Sequence, residues 1–300
     1  MRTGEKERLG NLVGNIRLNN MKLKKIKLEG LDFWYRANDK YIGQRIALQK
    51  YERYETALML GQLNINSVVV DVGANIGYYT ILMAKKCKKV YAIEPDKECF
   101  DILKKNVEEN NLKNVVLINK AASDKREKKY LVRDEENLGN SRISETRNEK
   151  LDTGVLTETL DNLLINEQYI SLIKVDTQGW EPEVISGTKK IIKRDQPTIF
   201  LEYTPGEYRD NKMINFLKKN YKNIWSINDF ASVPWPIYKG VKVYGVGYCD
   251  LFLKKKMKLK DYFIMIKNIN YKKWIKGVGA TLAGAQKKRV SASETPTKNI

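Results

Sequence analysis

The stretch Val68-Val-Val-Asp-Val-Gly-Ala-Asn-Ile-Gly77 decides the fold of this chain. Its apolar, β-branched start is typical of a buried parallel strand. Gly73, Asn75 and Gly77 then allow the backbone to turn tightly and approach a ligand before a helix that begins near residue 76. A second apolar run ends at Glu94, about twenty residues further on, where its carboxylate is placed to accept hydrogen bonds from both ribose hydroxyls. The two runs together predict a nucleoside-binding turn.

The pattern after residue 67 predicts an α/β fold with a mostly parallel sheet and helices on both faces, because strands and helices alternate there. An antiparallel hairpin is predicted at one edge of the sheet, from two late strands near 222–227 and 243–253. Strands are expected at 68–72, 90–94, 115–119, 171–176 and 197–203, and helices at 76–86, 96–110, 157–165, 181–193 and 211–220.

Charge and composition predict three parts in the 300 residues. A basic N-terminal lead-in spans 1–39, with an edge strand near Leu23, Ile26 and Leu28. The main domain spans 40–253 and contains a polar insertion at 124–157. A basic amphipathic extension follows at 254–300, and its tail is expected to be disordered from Gly277.

The net charge of +19 lies mostly at the two ends of the chain. Residues 254–289 hold eleven lysines and one arginine against one aspartate, whereas the body of the chain is nearly neutral. This distribution argues against a nucleic-acid channel through the core. The extension has two interpretations: a helix that contacts anionic membrane, or a helix packed on the domain with a solvated lysine face.

Several classes of function are excluded by what the sequence lacks. Histidine is absent, so no Ser-His or Cys-His triad and no histidine-ligated zinc site exists. The three cysteines form no close pair, and the charged start has no signal-peptide pattern. We therefore expect a cytoplasmic protein, peripheral at the membrane if the extension binds lipid.

Asp71 distinguishes between cofactors for the predicted turn. A carboxylate at the strand end suits a ligand with a cationic amine, such as the amino acid portion of S-adenosylmethionine, and would repel a pyrophosphate. The alternative is that Asp71 only caps the helix. Asn119 and Ala121, at the end of the third strand, are predicted to let the backbone approach an adenine ring.

A second candidate site follows the fourth strand, where Lys174 and Asp176 share one face. A lysine inside a buried strand needs an acidic partner, and Asp176 or Glu202 on the neighbouring strand is available. Both carboxylates would face the crevice at the carboxyl ends of the strands. The alternative interpretation is a structural ion pair.

In sequence order, these segments resemble the FkbM family of S-adenosylmethionine-dependent methyltransferases over about residues 50–205. The resemblance is carried by Asp71-Val-Gly-Ala-Asn-Ile-Gly77, Ala92-Ile-Glu-Pro95, Asn119-Lys-Ala-Ala-Ser-Asp124, Ile173-Lys-Val-Asp-Thr-Gln-Gly179 and Phe200-Leu-Glu202. It implies a Rossmann-like class I methyltransferase fold, a seven-stranded sheet with a reversed last strand, and methyl transfer to a hydroxyl of a sugar or polyketide. Glu55 aligns with an acidic family position and is expected to close the pocket.

The resemblance places the cofactor and the catalytic groups on numbered residues. S-adenosylmethionine is expected at Asp71, Gly73, Asn75, Gly77, Glu94, Asn119, Ala121 and Asp176. Asp176 is the expected base or orienter of the acceptor, with Glu202 and Lys174 adjusting it, and no metal is predicted. Gln178 stands where the family commonly has glutamate, so it keeps hydrogen bonding but loses the charge.

The predicted function is O-methylation of a sugar or glycan hydroxyl. Methylation of RNA or of another small molecule is the alternative enzyme hypothesis, and a non-catalytic module that docks on a membrane or a complex is the other. A nicotinamide dehydrogenase is least favoured, because the three-glycine fingerprint is not matched.

Overall fold

The structure, a computed structural model, describes most of the main domain. The described residues are 22–39, 41–48, 51–134, 137–146, 152–204, 208, 210–227, 235–236 and 249–261. The predicted lead-in lies outside them over 1–21, and the predicted C-terminal extension from residue 262 onward. The division of the chain at 39 and 253 therefore stays a prediction.

The strands occur close to the predicted positions. In chain order they are β1 (Leu23–Leu28), β2 (Leu31–Arg36), β3 (Val68–Val72), β4 (Lys89–Ile93), β5 (Val115–Ile118), β6 (Ala121–Ala122), β7 (Lys128–Val132), β8 (Arg142–Ser144), β9 (Asp152–Glu158), β10 (Leu172–Val175), β11 (Thr198–Tyr203), β12 (Asn223–Ile227), β13 (Trp235–Pro236) and β14 (Cys249–Lys254).

The helices are shorter than predicted. They are α1 (Gly43–Ala47), α2 (Arg53–Leu60), α3 (Tyr78–Ala84), α4 (Lys97–Glu109), α5 (Leu160–Leu163), α6 (Glu181–Ser186), α7 (Lys189–Asp195) and α8 (Lys212–Asn220). The helix predicted at 181–193 is two helices, because the chain bends at Gly187, where a Cβ atom would lie 1.9 Å from the carbonyl oxygen of Ser123. None of the helices in the described ranges is long and apolar enough to span a lipid bilayer.

The central sheet has the order β13-β12-β14-β11-β10-β3-β4-β5. Five neighbours, from β11 to β5, run parallel, which confirms the predicted fold class. The predicted antiparallel pair forms at this end of the sheet as β12 and β14, with β14 between β11 and β12. The short β13 pairs with β12 at the edge and makes eight strands among the described residues, one more than the resemblance implied. Leu251, Phe252 and Leu253 are completely buried, so this strand needs cover on both faces and neighbours on both sides.

Both faces of the sheet are covered. Val68, Val70 and Val72 of β3 face a core that includes side chains of α6, α7 and α8. Val69, on the opposite face, packs among side chains of α2 and α3. Every residue of β3 is buried, which explains why its sequence is continuously apolar except for Asp71.

The N-terminal strands do not join the central sheet as an edge strand. Residues 23–28 pair with β2 in a separate antiparallel hairpin. Asn106 of α4 binds this hairpin: its Oδ1 accepts from the backbone N–H of Trp34 at 2.7 Å, and its Nδ2 donates to the carbonyl oxygen of Trp34 at 3.0 Å. The hairpin therefore covers α4, and sequence periodicity alone did not reveal that partner.

The predicted insertion contributes to a second, four-stranded sheet of order β6-β9-β7-β8. Arg133, just after β7, joins it to the start of α4 through ion pairs of 2.7 Å with Asp96 and 2.7 Å with Glu98. Gly139 packs closely against Ile42: a Cβ atom at residue 139 would lie only 2.4 Å from Ile42 Cδ1. The insertion and the segment before α1 thus meet over the carboxyl ends of the central strands.

Candidate active site

A cavity of about 1010 Å³ opens at the carboxyl ends of β3, β4, β10 and β11. Its other walls come from the segment that includes α1 and α2, from the insertion, and from Asp250 of β14. Ligand sites in open α/β sheets lie at this edge. The volume is at the upper end of the range of about 300–1,000 Å³ that is usual for ligand pockets, which leaves room for two ligands.

The turn after β3 forms one wall of the cavity. The backbone N–H groups of Gly73 and Ala74 both donate to the carbonyl oxygen of Ile93, at 3.0 and 3.1 Å. Gly73 has a φ of 76°, and a Cβ atom there would lie 1.8 Å from the carbonyl oxygen of Asp176. Glycine is therefore required because two turns approach each other at this point.

Gly77 has a packing role in the described structure. Its φ is 93°, and a Cβ atom would lie 2.6 Å from Leu103 Cδ1 of α4. It does not line the cavity, whereas Asn75 does. The helix expected to begin near residue 76 begins at Tyr78, after this left-handed residue.

Glu94 follows β4 and lies at the floor of the cavity. Its Oε2 accepts from the backbone N–H of Asn75 at 2.7 Å, and its Oε1 accepts from that of Asp96 at 2.8 Å. Each oxygen keeps a further lone pair. Burial raises the pKa of Glu94 to about 8. Asp96 caps α4 through the N–H groups of residues 98 and 99, so capping does not require Glu94.

Asp71 is completely buried beneath the turn after β3 and lines the cavity. Its Oδ2 accepts from Thr80 Oγ1 at 2.6 Å, while its Oδ1 has no hydrogen-bond partner among the described residues. Burial raises its pKa, and the charge of Lys174 acts in the opposite direction. Asp71 is not the N-cap residue of α3, but it also accepts from the backbone N–H of Thr80 in the first turn of that helix, so a capping role accompanies the unpaired Oδ1.

The two residues predicted beside an adenine ring have different surroundings. Ala121 lines the cavity. The side chain of Asn119 does not; its Nδ2 donates to the carbonyl oxygens of Glu94 at 2.8 Å and Pro95 at 3.2 Å. Asn119 thus holds the backbone that carries Glu94.

The turn after β10 forms the opposite wall. Lys174 Nζ donates to Asp176 Oδ2 at 3.0 Å, which confirms the predicted ion pair. Gln178 Nε2 donates to Asp176 Oδ1 at 2.9 Å and to Glu202 Oε2 at 3.1 Å. The three predicted catalytic residues therefore lie together. The amide of Gln178 connects the carboxyl groups of Asp176 and Glu202.

Burial and the charge of Lys174 give these two carboxyl groups different protonation states. Burial acts to raise the pKa of Asp176, but the Lys174 ammonium holds it below its usual range. Burial, with the nearby charge of Asp176, raises the pKa of Glu202 to about 10. Near neutral pH the arrangement is thus an ionised Asp176 beside a protonated Glu202, as expected when two carboxyls share one site.

Outside the insertion, three further acidic residues line the same cavity: Glu52, Glu55 and Asp250. Burial raises the pKa of all three. Glu55 lies where the sequence placed it, but Glu52 and Asp250 were missed. Asp250 had a visible signal, since it precedes the apolar run Leu251-Phe-Leu253 of a buried strand.

Glu52 is held in an unusual conformation before α2. Its φ is 36°, which is uncommon for a residue with a side chain. Tyr79 OH donates to its Oε2 at 2.6 Å, and the Lys174 ammonium lies 4.9 Å from the centre of the Tyr79 ring. No local sequence pattern reveals this placement, because it depends on three separate segments.

Within the described ranges, no group of three or more acidic or cysteine side chains has a geometry that would hold a metal ion. Glu181, close to this site, accepts hydrogen bonds from the backbone of the turn after β10.

Comparison with known proteins gives one match to a family model, described as "Methyltransferase FkbM domain", over residues 71–224. This range holds both turns, Glu94, the insertion and Glu202. The family match therefore covers about half of the chain and includes every predicted catalytic residue.

Individual relatives match shorter parts. A protein of Methanocaldococcus jannaschii named "Probable cobalt-precorrin-6B C(15)-methyltransferase (decarboxylating)" is 30% identical over 133 residues, which cover 43% of this chain and 72% of that protein. One of Methanosphaera stadtmanae named "Probable ribosomal RNA small subunit methyltransferase A" is 45% identical over 53 residues, 18% of this chain and 20% of that protein. A crystal structure of methyltransferase FkbM from Methylobacillus flagellatus aligns with a TM-score of 0.42 and 15% identity, over 62% of this chain and 43% of that one.

Proposed function

Because the chain belongs to the FkbM methyltransferase family, we propose that it transfers a methyl group to a hydroxyl oxygen of a sugar or glycan. The protein is a methyltransferase whose methyl donor is S-adenosylmethionine. The choice of a sugar hydroxyl as acceptor is our proposal.

The described residues fit the methyl donor. Glu94 presents a buried carboxyl with a free lone pair on each oxygen, which suits the two ribose hydroxyls. Asp71 has a buried oxygen without a partner, which suits the positive charge of the donor's amino acid portion. Ala121 leaves space for a flat ring, since its side chain is small and lines the cavity.

The observation that carries the acceptor proposal is the junction of Lys174, Asp176, Gln178 and Glu202 in the cavity that also holds the donor residues. The remaining walls are rich in groups that hydrogen-bond hydroxyls. They include Tyr41, Tyr51, Asn137, Asn140, Ser141 and Arg142. A polyhydroxylated acceptor matches such walls better than an apolar one does.

The bound donor supplies an electrophilic methyl group on a sulfonium ion. The protein's task is to align one acceptor hydroxyl with that methyl and to exclude water. The Asp176 carboxylate accepts the hydrogen bond of this hydroxyl and takes its proton as the new O–CH₃ bond forms and the S–CH₃ bond breaks. Lys174 keeps Asp176 ionised before the reaction, and Glu202 carries the proton of the pair.

The test is transfer of labelled methyl from S-adenosylmethionine to glycan extracts, with tRNA and ribosomal RNA as parallel acceptors. We expect label in the glycan fraction, and a loss on the order of 10²–10⁴-fold for Asp176→Asn, which removes the base. Calorimetry with S-adenosylhomocysteine on this variant separates a loss of turnover from a loss of donor binding. Asp210→Asn, an exposed change on the segment before α8, is the control.

Label that appears only in RNA would replace the glycan proposal with the alternative enzyme function. Full turnover by Asp176→Asn would remove Asp176 as the base. A chain that binds neither donor nor product would favour a docking module.

We also propose that the basic extension contacts anionic membrane. The segment begins from an anchored point, since Lys254 Nζ bonds to Asp261 at 2.7 Å and to Gln62 at 2.6 Å. Sedimentation with vesicles rich in phosphatidylserine, with and without residues 262–300, tests this. Equal binding by the shortened chain would contradict it.

A further inference from the structure

The turn after β10 is held by a carboxylate that does not itself line the cavity. Glu181, the first residue of α6, is completely buried. Its Oε1 accepts from the backbone N–H of Thr177 at 2.8 Å and from Thr177 Oγ1 at 2.9 Å. Its Oε2 accepts from the backbone N–H of Gly179 at 3.0 Å. One side chain thus fixes the residues on both sides of Gln178.

The backbone between those two attachment points is strained. Gln178 has a φ of 54° and Gly179 has a φ of 100°. A residue with a side chain rarely occupies this left-handed region unless its surroundings enforce it. The bonds from Glu181 to Thr177 and Gly179 supply that constraint.

The strained turn decides where the Gln178 amide lies. With this backbone, Nε2 is within 2.9 Å of Asp176 Oδ1 and 3.1 Å of Glu202 Oε2. An ordinary right-handed residue at 178 would direct the side chain elsewhere. The bridge that the Gln178 amide makes between the two catalytic carboxyls therefore depends on the conformation of the turn.

Tyr208 connects the same carboxylate to the end of β11. Its OH donates to Glu181 Oε2 at 3.0 Å and accepts from the backbone N–H of Thr204 at 3.3 Å. Its ring lies 5.5 Å from that of Tyr203, centre to centre. Glu181 is thus bonded to the turn beyond β10, which carries Asp176, and to the segment that follows the Glu202 end of β11.

We propose that Glu181 is a positioning residue for methyl transfer, which it serves by holding the 176–181 turn so that Gln178 joins Asp176 to Glu202. The role in catalysis rests on the proposed function, while the role in holding the turn does not. Glu181 does not line the cavity, so it acts through Thr177, Gly179 and Gln178.

Glu181→Gln is the most specific test of this role, because glutamine keeps the size and shape of the side chain but replaces one acceptor oxygen with a donor. The new amide nitrogen would face the N–H of Gly179 or of Thr177, donor against donor, and the turn would open. We expect kcat to fall about 100-fold, as for a misplacement of about 1 Å near reacting groups. The dissociation constant of S-adenosylhomocysteine should change less than about threefold, because the ribose carboxyl Glu94 is untouched.

The pH profile separates a positioning role from a merely structural one. The hydrogen bond from Gln178 helps to keep the pKa of Asp176 low. When that bond is lost, the pKa of Asp176 rises, and the acidic limb of kcat/KM moves to higher pH because more of the base is protonated. Simple loss of folded enzyme would lower the profile without moving the limb.

Two further variants complete the experiment. Glu183→Gln, on the same helix, is the matched control and should leave kcat, the pH limb and exchange unchanged. Tyr208→Phe removes one donor to Glu181 and should shift the limb in the same direction by a smaller amount, which keeps the test available if Glu181→Gln folds poorly.

Amide hydrogen exchange without acceptor provides a readout that is independent of the methylated substrate. We expect at least tenfold faster exchange in a peptide covering 176–181 in Glu181→Gln, with peptides of β3 and β4 unchanged. If the wild-type protein methylates no glycan but this exchange increases, the glycan proposal fails and the turn assignment stands. Unchanged exchange, or an active Glu181→Gln enzyme with the wild-type pH limb, overturns the inference.

Discussion

Replacing Lys174 with methionine should destabilise the protein in a way that depends on pH. The lysine is 4% exposed and forms a 3.0 Å ion pair with Asp176. Removing one partner of a buried pair costs about 3–5 kcal/mol, because the remaining charge is left without compensation. Since the Asp176 side chain is 28% exposed, we expect the free energy of unfolding to fall by the lower end of this range, about 3 kcal/mol at pH 8. Methionine keeps most of the side-chain volume, so little of this loss comes from a cavity.

The loss should shrink at pH 5. In the wild type the lysine holds the pKa of Asp176 below its usual range, so the carboxyl is ionised at both pH values. Without the lysine, burial raises the pKa of Asp176 above its value in the unfolded chain. The folded variant then binds a proton that the unfolded chain does not, and its stability falls as pH rises through this window.

Urea unfolding at pH 5 and pH 8, followed by circular dichroism, measures both values. Lys104→Met is the control, since its partner Glu108 is 3.7 Å away on the exposed face of α4 and such pairs contribute about 0–1 kcal/mol. An equal loss at both pH values, or a loss no larger than that of the control, would refute the argument that Lys174 compensates a buried carboxylate.

Two further changes test the donor wall. Glu94→Gln should weaken binding of S-adenosylhomocysteine at least about tenfold, because an acceptor of ribose and backbone donors becomes a donor. Calorimetry should also show that the affinity of the wild type for S-adenosylhomocysteine rises from pH 6 to pH 9, because Glu94, with its pKa of about 8, ionises in this range. The Glu94→Gln variant should show no such rise. Glu108→Gln is the control. Gly73→Ala should abolish donor binding and lower the melting temperature strongly, since its Cβ atom would lie 1.8 Å from the carbonyl oxygen of Asp176. Gly30→Ala, with a similar φ of 81° and nothing within 4 Å, controls for backbone strain alone; matching behaviour of the two variants would contradict the close approach.

The parallel strands could be predicted from the sequence because burial on both faces leaves a simple pattern. β3 matches its predicted range of 68–72, and β4, β5, β10 and β11 differ by one residue at one or both ends. Lys174 was informative for the same reason: a charged residue in a buried strand needs a partner, and Asp176 lies two residues away. These inferences need only local periodicity and the cost of burying charge.

Other features depended on contacts between distant segments. The position of β14 between β11 and β12 is fixed by pairing with both. Glu52 and Asp250 reach the cavity from opposite ends of the domain, so no spacing along the chain links them to Asp176. From the sequence, Gln178 differs from the family's glutamate only by the loss of charge. In the structure its amide connects the carboxyl groups of Asp176 and Glu202, a role that requires a hydrogen-bond donor.

The sequence by itself determined the parallel α/β order, the tight turn at Gly73 with Glu94 after the next strand, and the ion pair of Lys174 with Asp176. These follow from short-range rules: alternation along a strand, glycine at a tight turn and compensation of buried charge. Only the tertiary structure decided that Gly73 abuts the turn of Asp176, that Glu181 shapes this turn, and that Glu202 holds a proton beside an ionised Asp176. The physical reason is that protonation and close approach depend on which groups are desolvated together, and that is set by the packing of segments far apart in the chain.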